Sequence, residues 1–319
     1  MPELITLIAI FIVSLFVLIK SSDYFTDSAE KIGVRLGLPA FIVGVTIVAV
    51  GTSLPELISS IFAVLKNSSE IVVGNVVGSN IANIFLILGI TAIIGKKIKV
   101  TYELIHVDLP ILIGSAFLFA VMIWDGVFSL PEALLSIAGI VLYFSYTINT
   151  ERVHKDKEIK KEMKGELKLK NHILKSWGVL IVSTVFIYIG AKYTIESVIG
   201  LSSALNIGTE IIAVTAVALG TSLPELAVSI TAAKKGKPEM AVGNILGSNI
   251  FNTFAVMGIP AVIGTLIIPS SILTFGLPVM VIASLLYFFM TQDRRITRWE
   301  GYLLLMFYVF FVGKVVGLI

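Results

Sequence analysis

Long apolar runs separated by short clusters of charge organise this chain from end to end. A helix needs roughly 20 residues to cross the hydrocarbon core of a bilayer. By that measure, spans are expected near 3–20, 38–65, 71–95, 105–124, 128–147, 175–199, 208–233, 239–266, 270–291 and 299–317. Polar and apolar residues do not alternate inside these runs, which are also too long for barrel strands, so each is expected to be a helix. The first run lacks a basic leader and a small-residue cleavage site and is therefore read as a span rather than a signal. The expected fold class is all-α integral membrane, with ten transmembrane helices.

Composition agrees: 56% of residues are hydrophobic and 14% charged, with a mean hydropathy of +0.98, which excludes a soluble surface. Lipid is the expected surrounding, and no nucleic acid, obligate protein partner or cofactor is expected. Cysteine is absent, which removes disulfides, thiolate metal sites and thiol nucleophiles.

Basic residues test the span count independently, because Lys and Arg gather in loops that stay cytoplasmic. With the N-terminus outside, the inward loops hold Lys20, Lys31 and Arg35, then Lys96, Lys97 and Lys99, then Arg152 through Lys175, then Lys234, Lys235 and Lys237, then Arg294, Arg295 and Arg298. Only Lys66, Lys192 and Lys314 fall outside. This predicts a cell-membrane protein with both termini extracellular.

One long polar stretch, a mixture of acids and bases, reads as a solvated cytoplasmic linker over 150–174. It separates a five-helix unit at 1–149 from another at 175–319. Sliding the chain by 169 positions lays 45–95 on 214–264 without a gap, with roughly thirty identities in about fifty positions. The halves share VAVGTSLPELISS with GNVVGSNIAN, and VALGTSLPELAVS with GNILGSNIFN. Because five helices precede the second half, equivalent helices must run in opposite directions, giving two inverted repeats.

Glu56 and Glu225 lie near the middle of apolar runs, where a carboxylate costs roughly 2.5 to 3.5 kcal/mol on insertion scales. No Lys or Arg lies mid-span to neutralise them. Each follows a proline, Pro55 or Pro224, which lacks an amide hydrogen and clashes with the carbonyl four residues back, at Gly51 or Gly220. Broken helices at mid-membrane are therefore expected, with freed carbonyls around 49–52 and 218–221 available as oxygen ligands. Thr52, Ser53, Thr221 and Ser222 flank the breaks, while Ser79 with Asn83, and Ser248 with Asn252, project four residues apart from one helical face. Each of these alone is as readily explained by interhelical hydrogen bonding. Gly74, Gly78, Gly243 and Gly247 fit close helix approach. Carboxylates, carbonyls and hydroxyls without imidazole or thiolate suit hard cations such as Ca2+ and Na+, whereas Mg2+ sheds water reluctantly. His106, His154 and His172 lie away from this centre.

At these residues the chain resembles the cation/calcium antiporter superfamily, and within it the sodium/calcium exchanger branch with paired alpha-repeats. GTSLPE followed by GNVVGSN, and GTSLPE followed by GNILGSN, carry the resemblance, which extends over nearly the whole length. It implies a bundle of spans 2, 3, 7 and 8 enclosing four ion sites, across which the long spans 1 and 6 slide. By motif position it implies that Glu56 and Glu225 bind Ca2+ with backbone oxygens of Thr52 and Thr221. Sites for Na+ would draw on Ser53, Ser222, Ser79, Ser248 and the carbonyls of Ala49 and Ala218, with Asn83 and Asn252 bordering the middle site. Potassium-dependent relatives carry Asp where this chain has Asn252, and the GNxxE-like acid of the proton-coupled branch is missing, so sodium is the implied coupling ion. The implied activity is electrogenic exchange of Na+ for Ca2+ by alternating access. The rival readings are a proton- or potassium-coupled exchanger, a cation channel and, more remotely, an intramembrane hydrolase using Ser53 and Glu56.

Overall fold

A computed structural model of the protein describes residues 2–65, 67, 69–95, 97–99, 107–153, 173–204 and 222–319. Its helices are α1 (Pro2–Leu36), α2 (Ala40–Leu65), α3 (Glu70–Gly95), α4 (Asp108–Met122) and α5 (Leu130–Val153), then α6 (Ile173–Ala204), α7 (Leu223–Lys234), α8 (Pro238–Ile263), α9 (Ile272–Thr291) and α10 (Arg298–Val315). Four short strands lie between them: β1 (Lys97–Lys99), β2 (Val127–Phe128), β3 (Leu266–Ile267) and β4 (Arg295–Thr297). Among the described residues seven helices are long and apolar enough to cross a membrane, and α4 is a shorter apolar helix. The chain is a multi-pass, all-helical membrane protein. Most of the linker, and the first half of the run at 208–233, lie outside the described residues, as do His106, His154 and His172.

The first helix is far longer than the apolar run at 3–20. Two of its polar residues are satisfied within the helix: the Ser22 and Thr26 hydroxyls each donate to a carbonyl one turn back, at 2.8 Å. The Asp23, Asp27 and Glu30 carboxylates meet the turn between α7 and α8. There the Lys235 ammonium lies 2.8 Å from Asp27 Oδ1 and donates to the Asp23 carbonyl oxygen at 2.8 Å, and Lys237 pairs with Glu30. Partial burial holds the Lys237 ammonium below the usual lysine range, with the Asp27 charge acting in the opposite sense. Lys31 and Arg35, expected in a loop, therefore sit on the last turns of α1. Because these pairs are partly exposed, Lys235→Ala is expected to cost only about 0.5 to 1 kcal/mol. Thermal melting in detergent should show a small loss that shrinks as salt is raised.

The expected break at Pro55 takes another form. The α-helical part of α2, Ala49–Leu65, runs through the proline, and the irregularity is a π-helical stretch upstream, Gly44–Val48. Proline costs this helix the hydrogen bond at the Gly51 carbonyl but not its continuity. In the second half α7 begins at Leu223 with Pro224 in its first turn, where a missing amide hydrogen costs nothing, and Ser222 ahead of it is non-helical, with φ −96° and ψ 3°. Further π-helical stretches occupy Asn83–Leu88 and Asn252–Val256, equivalent positions in the two halves.

Helix α8 is the centre of the molecule, 89% of its apolar window being buried, against 17% for α1. It crosses α2 backbone against backbone. A Cβ on Gly243 would stand 2.2 Å from the Phe41 carbonyl oxygen, and one on Gly247 2.3 Å from that of Val45. Helix α6 packs along α1 at the periphery, with Gly190 against the Leu18 backbone and Thr194 donating to Ser14 Oγ at 3.0 Å. Two antiparallel ribbons tie the halves together, β1 with β4 through Ile98 opposite Ile296, and β2 with β3 through Phe128 opposite Leu266. Each ribbon draws one strand from either half, and a shift of 169 residues carries β1 onto β3 and β2 onto β4 to within a residue.

Candidate functional site

Four helices bring the repeated motifs to one buried place. On α2, Thr52, Glu56 and Ser60 recur every four residues and so share a face, with Ala49 and Ser53 on the adjoining one; all five are buried. Ser222 leads into α7, which presents Glu225 and Ser229 in the same manner. Ser79, Asn80 and Asn83 come from α3, and Asn244, Ser248, Asn249, Asn252 and Thr253 from α8, all buried. Thr221 and Ala218, the second-half equivalents of Thr52 and Ala49, lie outside the described residues.

The acids meet across the halves. Ser53 Oγ donates to Glu225 Oε1 at 3.0 Å, which sets the second-half acid against α2 one turn from Glu56. Both carboxylates are 1% exposed. Among the described residues, neither oxygen of Glu56 nor Oε2 of Glu225 has a hydrogen-bond partner, and the same holds for Asn83 Oδ1 and both polar atoms of Asn252. Two buried carboxyl groups that, among the described residues, have three unpaired oxygens and no salt-bridge partner make an acidic, oxygen-rich centre. Such a centre is costly unless protons or a hard cation neutralise it.

Amides knit the surrounding helices. Asn83 Nδ2 donates to Asn249 Oδ1 at 3.3 Å, and Asn80 Nδ2 to Thr253 Oγ1 at 3.0 Å. Asn244 Nδ2 donates to Ser229 Oγ at 3.0 Å, and Asn75 Nδ2 to Ser60 Oγ at 3.4 Å, the same contact at equivalent positions of the two halves. Asn75, Asn80, Asn244, Asn249, Ser60 and Ser229 were not expected in the centre. The signal for them was present, since each pairs with a residue of its own type 169 positions away.

The family model "Sodium/calcium exchanger protein" matches residues 6–150 and 175–316. The sodium/calcium exchanger MaX1 of Methanosarcina acetivorans is 38% identical over 95% of this chain and 96% of its own length. The inner membrane protein YrbG of Escherichia coli is 32% identical over 80% of this chain and 79% of its own. Among solved structures, the sodium-calcium exchanger NCX_Mj soaked with Na+ and Sr2+ superposes with a TM-score of 0.83 at 29% identity, covering 97% of this chain and 98% of that one. The same exchanger soaked with Na+ and Ca2+ gives 0.81 at 30% identity, covering 97% and 98%. Motif, fold and family match thus agree, and the chain belongs to the sodium/calcium exchanger family, a branch of the cation/calcium antiporter superfamily.

Proposed function

We propose that the protein is a secondary antiporter that exchanges Na+ for Ca2+ across the cell membrane. The observation that carries this reading is the pair Glu56 and Glu225, both buried and, among the described residues, with three unpaired carboxylate oxygens and no basic partner. Two carboxylates match one divalent ion, and carbonyl, hydroxyl and amide oxygens complete a shell suited to hard cations. The names of MaX1 and NCX_Mj point to the same ions.

In this reading Glu56 and Glu225 hold Ca2+ with the backbone oxygens of Thr52 and Thr221. Na+ occupies positions formed by Ser53, Ser222, Ser79, Ser248 and the carbonyls of Ala49 and Ala218, while Asn83 and Asn252 border the space between. Ten spans form two inverted five-helix repeats, at 1–149 and 175–319, joined by a cytoplasmic linker at 150–174, with both termini outside. The paired contacts of Asn75 with Ser60 and of Asn244 with Ser229, and the interchanged ribbons, support that symmetry. A centre emptied of both ions keeps uncompensated charge and resists crossing the barrier, so the carrier changes face only when loaded, which couples the two fluxes. About three Na+ per Ca2+ would carry net charge and let the membrane voltage contribute.

The test is uptake of radioactive Ca2+ into proteoliposomes under imposed Na+, K+ and H+ gradients in turn. Uptake driven by an outward Na+ gradient, and accelerated by an inside-positive voltage because about three Na+ leaving for one Ca2+ carry net positive charge outward, is the expected result. Uptake that follows only the pH gradient would reassign the coupling ion to protons. Conductance far above carrier turnover in a planar bilayer would make the protein a channel.

A further inference from the structure

Thr52 has more acceptors than protons. Its hydroxyl carries one hydrogen and two lone pairs, yet Oγ1 lies 3.3 Å from the Ala49 carbonyl oxygen and 3.2 Å from Asn244 Oδ1, and the next residue, Ser53, is hydrogen-bonded to the Glu225 carboxylate at 3.0 Å. Where that single hydrogen points decides what the hydroxyl offers the centre. Directed at Glu225, it occupies a carboxylate lone pair that a cation needs, and turns a positive dipole toward the ion. Directed at Asn244, it leaves Glu225 free and presents its own lone pairs inward.

Asn244 is built to hold the second arrangement. It is fully buried on α8, and its Nδ2 donates to Ser229 Oγ at 3.0 Å, which turns Oδ1 toward Thr52 and disfavours the flipped amide. Ser248 Oγ, 3.5 Å from the same oxygen, approaches from one turn further along α8. We propose that Asn244 is a positioning residue that orients the Thr52 hydroxyl, keeping its hydrogen off the Glu225 carboxylate so that hydroxyl and carboxylate oxygens both face the cation. Asn75 repeats the amide-to-serine half of the device, donating to Ser60 Oγ at 3.4 Å. The inference rests on the exchange reading above only for the identity of the cation. A packing role for Asn244 alone would move stability and not the ion affinity.

The experiment is a double-mutant cycle on the Ca2+ concentration for half-maximal Na+-driven uptake, with thermal melting followed in parallel. Losing one hydrogen bond of this kind is worth about a tenfold change, so Asn244→Ala is expected to raise the half-maximal concentration about tenfold, with turnover at saturation within about twofold of wild type. Thr52→Val, which removes the hydroxyl at constant shape, should raise the half-maximal concentration by at least as much, and the double variant should be no worse than Thr52→Val alone. Ser229→Ala, which only frees the amide to flip, should give a smaller rise in the same direction, and it carries the test if Asn244→Ala does not fold. An unchanged half-maximal concentration in folded Asn244→Ala or Ser229→Ala would overturn the proposal. So would additive effects in the double variant. Calorimetric Ca2+ binding by the purified protein reads the same shift without transport, so a wild type that binds Ca2+ but does not exchange it overturns the exchange reading and leaves this one standing.

Discussion

Replacing Glu56 by glutamine is expected to abolish Na+-driven Ca2+ uptake while leaving the protein at least as resistant to heat as the wild type in the absence of Na+ and Ca2+. The carboxylate is 1% exposed and neither of its oxygens has a hydrogen-bond partner among the described residues. Keeping such a charge out of water costs several kcal/mol when nothing compensates it, and the isosteric amide removes that cost. Binding moves the other way. Deleting one partner of a buried charge pair costs about 3 to 5 kcal/mol, or roughly two to three and a half orders of magnitude in affinity at 1.4 kcal/mol per factor of ten. Glu225→Gln should behave alike, since an amide oxygen can still accept the hydrogen bond from Ser53. Thermal melting gives a second readout: Ca2+ at a hundred times its dissociation constant stabilises the wild type by about 2.7 kcal/mol, and neither variant should respond to the same addition. Full uptake by either variant would remove the basis of the proposed function.

Gly243→Ala and Gly247→Ala are expected to be among the most damaging substitutions of a single methyl group. Each new Cβ would stand less than 2.5 Å from a carbonyl oxygen of α2, and backbone, unlike the end of a flexible side chain, cannot turn aside. Overpacking in a close-fitted interior costs about 1 to 3 kcal/mol even where side chains can shift. Here the whole crossing of α8 over α2 must open, and with it the spacing between Thr52 and Asn244, so about 3 kcal/mol or more is expected for each. Size-exclusion chromatography and melting in detergent would show this as aggregation or a large drop in midpoint. Gly114→Ala is the control, since a Cβ there meets nothing within 4 Å. Equal melting of Gly243→Ala and the wild type would mean that the two helices do not cross at this distance.

Some of the architecture was legible before any coordinates. The apolar runs, the acids at 56 and 225 and the motifs repeated at an interval of 169 are properties of the string itself. They mark Glu56 and Glu225 as a matched pair because a charge in hydrocarbon demands compensation wherever it lies, whereas Ser53 and Asn83 alone are as readily explained by interhelical hydrogen bonding. The extent of α1 was not legible. Asp23, Asp27 and Glu30 look like the end of a span until Lys235 and Lys237 arrive from more than 200 residues away. Nor could the proline motif distinguish a broken helix from a continuous one with a π-helical stretch upstream, because both leave the Gly51 carbonyl unbonded.

Repeated passage through a membrane, the kinship of the halves and two carboxylates at matching apolar positions follow from the residues alone, because hydrophobicity, identity and charge belong to residues taken singly. The packing of the helices sets which polar atoms share one hydrogen, as at Thr52 between Ala49 and Asn244, and which, among the described residues, are left without a partner, as at Glu56 and Asn252. Hydrogen bonding is a matter of tenths of an ångström and of direction. Between residues 192 positions apart, that geometry exists only once the glycines of α8 have let it close onto α2.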